Sequence, residues 1–345
     1  MKQHKRLKTE HQGLRIVIET LPMDITRQIE IAAWRLQKHF NMDLNNVGMV
    51  GYIKETLGAA LKSEAIATRL AILQKYTETL HQLLQVSQVQ QRSQEWYNMR
   101  KNRLTASDTA QALGLSKYGK AHQLVTKKAF PERFPMTNSM TVAPLRHGVI
   151  YESMALRCYT QRHGDIVVHD FGLIPHPRLS CYGASPDGIT SQGIMIEIKC
   201  PLKRVIDGNV PEHYYLQMQG QMAVCSLNEC DYIECDIKET QDENEYLSLV
   251  DSSSKVDHGI VLDDNGDLKY SPPVLTPLEA IKWANDTSTT AKKNFWVLRQ
   301  ISIKRVHFDP EKWREYEPVI EDFWKQVEEA RLTPYKKYNF IDEDE

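Results

Sequence analysis

The stretch from Ser185 to Pro201, SPDGITSQGIMIEIKCP, constrains this chain more than any other. It holds two short runs of β-prone residues joined by Ser191-Gln192-Gly193, and that spacing predicts a β-hairpin. With those residues as the loop, Thr190 pairs with Ile194, and counting outward sets Asp187 opposite Glu197, with Cβ atoms about 5 Å apart. The side-chain period of two then sends Ile194, Ile196, Ile198 and Cys200 to one face, expected to be core, and Met195, Glu197 and Lys199 to the other.

Like charges opposed on a sheet are destabilising. The arrangement makes physical sense if a divalent cation lies between the carboxylates, and Mg²⁺ takes one or two carboxylates together with waters and phosphate oxygens. Lys199 would sit about 7 Å along the strand from Glu197, placed to orient a water or to neutralise developing negative charge. A glutamate two residues before a lysine on a strand is commonly a solvent-facing ion pair. The aspartate at the opposed hairpin position, after a proline, is what separates this chain from that reading.

Upstream, Pro144 to His163 is predicted as a helix stopped by Gly164, with Leu145, Val149, Leu156 and Tyr159 on one stripe. Glu152 falls on the same stripe, where a carboxylate is costly unless a metal, a cation or hydrogen bonds compensate it. The alternative is a partly exposed glutamate beside an arginine such as Arg146. Downstream, Tyr214 to Val224 reads as a helix carrying Gln217, Gln219 and Gln221. An amide there suits the positioning of a water. Gln217 and Gln219 lie about 200° apart around a helix and cannot both face one site.

The rest of the chain sets the frame. Residues 14 to 90 read as helical, with Ile29, Ala33, Leu36 and Phe40 and then Ile66, Leu70, Leu73, Leu80 and Leu84 at helical spacing. The polar Gln85 to Gln94 stretch marks a boundary, so the expected organisation is an N-terminal helical region (1–90), an α/β domain (91–335) and an acidic tail (336–345). A hairpin is expected around Asp264-Asn265-Gly266, and a last helix begins at Asp309 and Pro310. Six scattered cysteines without zinc spacing argue for reduced thiols in an intracellular compartment, and no run approaches the roughly 18 apolar residues of a membrane span. A net charge of −2 excludes a uniformly basic nucleic-acid surface, so any such contact must be a local patch.

Taken in order, five segments resemble the λ exonuclease and YqaJ-type viral recombinase family within the PD-(D/E)xK nuclease superfamily. They are Trp96-Tyr97-Asn98-Met99-Arg100 leading to Thr105-Ala106-Ser107, the HGVIYE run from His147 to Glu152, Ser185-Pro186-Asp187-Gly188, Glu197-Ile198-Lys199-Cys200-Pro201, and Tyr215-Leu216-Gln217-Met218-Gln219. The resemblance covers about residues 94 to 240, leaving out the N-terminal helices and the Lys255 to Tyr270 insertion. It implies an α/β, restriction-endonuclease-like fold, a central mixed β-sheet flanked by helices. The implied activity is Mg²⁺-dependent 5′-to-3′ exonuclease action on double-stranded DNA, with Mn²⁺ as a substitute, leaving 3′ single strands for viral recombination, replication and repair. Glu152, Asp187 and Glu197 would hold or support the metal, Ile198 would offer it a backbone carbonyl, and Lys199 and Gln219 would handle the nucleophilic water.

The family also holds a 5′-terminal phosphate, at positions matching Arg100, Ser107 and Ser185. Arg100 is a forked, permanently charged donor, and Thr105 to Asp108 reads as a helix N-terminus, which favours an anion. The competing reading has Ser107 capping its helix and Arg100 paired with Glu95 or Asp108. The length and added N-terminal region look like the version in large cytoplasmic DNA viruses, which implies the host cytoplasm; the family resemblance further implies a single-strand annealing protein as companion, and a homo-oligomer if this chain follows the ring-shaped trimer of the phage relative, an interface that the added N-terminal region could block or replace. Two further readings stand beside this: a structure- or site-specific DNA endonuclease on the same fold, and a DNA-binding module that has lost catalysis. The joint presence of Asp187, Glu197 and Lys199 speaks against the second.

Overall fold

The computed structural model describes residues 24–58, 61–86, 89–134, 139–250 and 256–335. The acidic tail and the first part of the expected helical region lie outside these residues. Ten strands are formed among them: β1 (Leu104–Thr105), β2 (Val168–His169), β3 (Ile174–Pro175), β4 (Tyr182–Ala184), β5 (Gly188–Thr190), β6 (Met195–Lys199), β7 (Glu229–Thr240), β8 (His258–Asp264), β9 (Asp267–Tyr270) and β10 (Lys292–His307). Seven make a mixed sheet in the order β2-β5-β6-β7-β10-β8-β9, and β1, β4 and β3 make a small second sheet. Within the large sheet β6 and β7 are parallel, while the β5–β6, β7–β10, β8–β10 and β8–β9 pairs are antiparallel. This is the central mixed β-sheet flanked by helices that the sequence reading expects.

The helices are α1 (Ile25–Phe40), α2 (Met49–Leu57), α3 (Ser63–Gln85), α4 (Gln94–Lys101), α5 (Thr109–Ala112), α6 (Ala121–Ala129), α7 (Ala143–Arg162), α8 (Glu212–Cys225), α9 (Glu243–Leu249), α10 (Pro277–Thr287) and α11 (Pro310–Leu332). Parallel β6 and β7 cannot be joined by a tight turn, and the crossover between them carries α8. On one face of the sheet α7 buries Ile150, Met154, Ala155 and Cys158 against Ile196, Ile198, Ile233 and Cys235. On the other, Met195 and Cys230 join a cluster with Met218 and Met222 of α8, Ile66, Leu70 and Leu73 of α3, and Phe323 and Val327 of α11. The sheet is therefore covered on both sides, and the face of β6 that carries Met195, Glu197 and Lys199 is closed by α8. The α11 start is as expected, with the Asp309 carboxylate accepting from the amides of Glu311 and Lys312. The second hairpin turns through Asn265 and Gly266, both at positive φ (52° and 99°). All six cysteines are free, and among the described residues no helix is long and apolar enough to cross a membrane.

The N-terminal helices share this core and are tied to it by buried charge. Arg305 of β10 contacts Asp231, Glu229 and Glu30; Arg69 of α3 contacts Glu30 (2.5 Å) and Glu229 (2.6 Å); Arg27 of α1 contacts Asp231 (2.9 Å). Burial alone would raise the Asp231 carboxyl, but Arg305 and Arg27 hold it well below the usual range, and Arg69 and Arg305 likewise hold Glu229 down against burial. Removing one partner from such a set leaves an uncompensated buried charge. Arg305→Met is expected to lower stability by about 3–5 kcal/mol in urea unfolding. Since the folded-state values lie below the unfolded ones, the carboxylates contribute stability that is present above about pH 4.5 and lost as pH falls below it. Wild-type stability should drop through that acid window, and Arg305→Met should show a shallower drop.

Candidate active site

Main-chain pairing in the hairpin runs Ile189 to Met195 and Gly188 to Ile196, so Asp187 follows opposite Glu197. The turn closes with Thr190 N donating to Ile194 O (2.8 Å), and Gly193 takes φ +75° with a Cβ position only 2.5 Å from Tyr76 Cβ, so glycine is required there. Gly188 is required for another reason: its Cβ would stand 2.4 Å from Val168 Cγ1 on β2. Beyond β5 the Asp187 carboxylate turns back onto β6, where Oδ2 accepts from Ile198 N at 2.7 Å. The N–H and C=O of one strand residue point to the same side. The Ile198 carbonyl is thus directed to the Asp187 side as well.

Glu197 is fully buried. Its oxygens accept from Lys199 Nζ, from Gln217 Nε2 (2.7 Å) and from Gln221 Nε2 (2.7 Å). Gln217 and Gln221 are one helical turn apart on α8 and so present one face to β6. Lys199 Nζ also lies 4.8 Å from the centre of the Tyr214 ring. Burial and the neighbouring Glu197 push the Asp187 carboxyl well above the usual range, with Lys199 only partly opposing them. Burial would lower Lys199, yet Glu197 and Asp187 outweigh it and hold its ammonium above the ordinary lysine value.

Two of the sequence-derived placements need correction. Gln219 is not in this site: its Nε2 donates to His307 O (2.9 Å) and its Oε1 accepts from Asp309 N (2.7 Å), so it secures the entry to α11. The 200° offset that separates it from Gln217 also separates it from Glu197, and it is Gln217 and Gln221 that face the carboxylate. Glu152 does not lie on the core side of α7. That side is formed by Ile150, Tyr151, Met154, Ala155, Cys158 and Tyr159, while Leu145 is 49% exposed. Glu152 instead stands at the rim of the Asp187 cleft, half-buried and 3.4 Å from Arg92, and Arg146 pairs with Asp263. Burial raises the Glu152 carboxyl; Arg92 and Lys199 counter this and Glu197 adds to it.

Arg100, Ser107 and Ser185 are brought together around Trp96. The Arg100 guanidinium stacks 4.5 Å from the Trp96 ring and its Nη2 donates to Ser107 Oγ (3.3 Å), while Trp96 Nε1 donates to Ser185 Oγ (3.0 Å). Thr105 to Asp108 is not the start of a long helix but a 3₁₀ turn (Ala106–Asp108) leading into the four-residue α5, so no helix dipole of consequence acts there. Lys128 is a residue that pattern reading missed. Its ammonium donates to Arg100 O (3.2 Å) and Arg103 O (2.9 Å) and pairs with Asp108 (2.9 Å), bridging the two sides of the cluster. Burial would raise Asp108, but Lys128 and Arg100 hold it down to about 2. In chelator, Gln219→Ala should lose about 1–3 kcal/mol by orphaning buried groups. Asp187→Asn should raise Tm, because burial beside Glu197 opposes a charge on residue 187 at neutral pH. Thermal unfolding checks both, and an Asp187→Asn protein that melts lower would contradict the electrostatic reading.

Residues 95–228 match the YqaJ-like viral recombinase domain. The chain is 25% identical over 314 residues to an uncharacterized protein of Acanthamoeba polyphaga mimivirus, covering 75% of this chain and 54% of the relative. It is 26% identical over 166 residues to a protein of African swine fever virus, covering 39% and 46%. The chain thus spans about half the length of the curated relatives it matches. Among solved structures, an alkaline exonuclease from Laribacter hongkongensis is 21% identical, with 72% of this chain and 98% of that one covered at a TM-score of 0.46. A phage-related exonuclease from Haemophilus somnus is 14% identical, with 67% and 94% covered at 0.36. Arg100, Ser107, Glu152, Asp187, Glu197 and Lys199 all lie within the segment that matches the YqaJ-like viral recombinase domain.

Proposed function

We propose that this chain is a divalent-metal-dependent deoxyribonuclease that degrades one strand of double-stranded DNA from a 5′ end. The observation that carries the reading is the pair of carboxylates, Asp187 and Glu197, set opposite each other with Lys199 against Glu197 and the Asp187 carboxyl pushed above its usual range by burial and by Glu197. Such a pair is electrostatically unfavourable by itself and becomes favourable around a hard cation. Among the described residues no three carboxylate, imidazole or thiolate groups stand assembled as a metal centre. The donors that fit one are Asp187, Glu197 and the Ile198 carbonyl, with Glu152 at the rim; Mg²⁺ is the ion proposed and Mn²⁺ its substitute. A bound ion supplies Lewis-acid stabilisation of the phosphoryl oxygens and lowers the pKa of water.

The protein's own groups supply the rest. Gln217 and Gln221 fix the Glu197 carboxylate, and Glu197 fixes the Lys199 ammonium, which offers a permanent positive charge where negative charge accumulates during attack. Ser185 lies two residues before Asp187, so a terminal phosphate held by Arg100, Ser107 and Ser185 would be close to the carboxylates and would select which end enters. This favours exonuclease action over the endonuclease alternative.

Linear duplexes labelled at either end, and a closed circle, separate these readings. In Mg²⁺ the linear DNA should be digested from the 5′-phosphorylated end and the circle left intact; a cut circle would favour the endonuclease. Glu197→Ala and Lys199→Ala should abolish cleavage while duplex binding persists. The electrostatics add a pH signature. Asp187 must lose its proton to accept a cation, and its folded-state value is raised, so activity should rise with pH above the ordinary carboxylate range. The midpoint should move to lower pH as metal concentration increases, because metal and proton compete for one group. A midpoint indifferent to metal would remove Asp187 from the metal-binding set.

A further inference from the structure

Residues 89–92, ahead of α4, lie across the mouth of the site. Val89 lies hard against Gly172, where a Cβ would stand 1.8 Å from the Val89 carbonyl oxygen. Gln91 Nε2 donates to the carbonyls of Phe171 (2.8 Å) and Pro186 (3.3 Å), and Pro186 immediately precedes Asp187. Arg92 comes next, at φ +65°, the left-handed region that a residue with a Cβ occupies only at a cost. The backbone at Arg92 is therefore fixed in relation to Asp187, and is fixed in a strained conformation.

The side chain is not similarly fixed. It is 52% exposed and meets Glu152 at 3.4 Å, a long contact between half-exposed groups, which contributes little stability. The cleft it faces has a volume of about 460 Å³ and is lined by the carboxylates of Glu152, Asp170 and Asp187, with Arg92 as the sole cation among the described lining residues. A polyanion entering this cleft meets three carboxylates, and Arg92 is the one cation in its described lining to receive it. Strain retained at a non-glycine residue, for a weak ion pair, points to a use outside the free protein.

We propose that Arg92 is a further substrate-contacting residue, whose guanidinium leaves Glu152 for a phosphate of the DNA strand and thereby frees Glu152 for the carboxylate cluster. This rests on the nuclease reading. The test uses the full chain as wild type, Arg92→Gly and Arg92→Lys. Binding of a fluorescent 5′-phosphorylated duplex is followed in chelator across a salt series, cleavage of the same duplex is followed in Mg²⁺, and Tm is measured for each protein. Loss of one phosphate contact lowers the slope of log affinity against log salt by about 1. Arg92→Gly should show that drop and a raised KM with Tm equal or higher, since glycine accepts the left-handed backbone, whereas Arg92→Lys should keep the wild-type slope. An unchanged slope and KM in Arg92→Gly, with or without a fall in Tm, would make Arg92 a structural tether and overturn the proposal. A wild-type chain that cuts no duplex overturns the nuclease reading instead, and this proposal with it.

Discussion

Glu197 carries a carboxylate with no access to water, and much of the fold around β6 is arranged to satisfy it. A lone buried carboxylate would simply take up a proton. Here the strand supplies a lysine two residues on, and the crossover helix supplies two amides one turn apart, so every contact to Glu197 comes from an element whose position is dictated by the β6–α8–β7 unit. The parallel pairing of β6 and β7 forces a crossover, the crossover places α8 on the face that Glu197 points to, and the amides follow. Asp187 receives no such support beyond the Ile198 amide and Lys199.

Among the described residues, two buried clusters of carboxylates differ in sign. In the cluster of Arg27, Arg69 and Arg305 with Glu30, Glu229 and Asp231, cations match carboxylates, and Asp231 and Glu229 are held down. At the hairpin, burial and Glu197 push the Asp187 carboxyl up. Burial is common to both, so burial does not distinguish structure from function; the balance of charge does. A fold retains a locally unfavourable arrangement where something absent from the free chain completes it.

The hairpin was legible because a strand has a period of two and a short loop leaves a single register, so Asp187 and Glu197 could be set opposite each other by counting. The helix starts at Asp309 and Pro310 were legible for a similarly local reason, a carboxylate cap followed by a proline. The glutamines were not, because helical spacing says which residues share a face without saying which face meets the sheet; Gln219 and Gln217 differ only in that. Glu152 failed for the same cause, since α7 packs with Ile150 and Met154 inward rather than Val149 and Glu152. Arg27 and Glu30 of α1 and Arg69 of α3 have partners on β7 and β10 that lie more than 150 residues away. No local pattern encodes a pairing of that separation.

That long-range pairing changes what the N-terminal helices are. A detachable appendage would join the sheet through apolar surface and a loose linker. These helices instead deliver two arginines and a glutamate to the end of the sheet where β7 begins and β10 finishes, where each would be costly without the others. Having docked, they fix where α3 ends, and ahead of α4 residues 89–91 pack on Gly172 and Pro186 before Trp96 is reached. The position of Arg92 at the rim, and of Trp96 and Arg100 beneath Ser185, is in this sense inherited from a charge network on another part of the molecule. The helices outside the matched residues 95–228 thus help to shape the approach to the carboxylates within them.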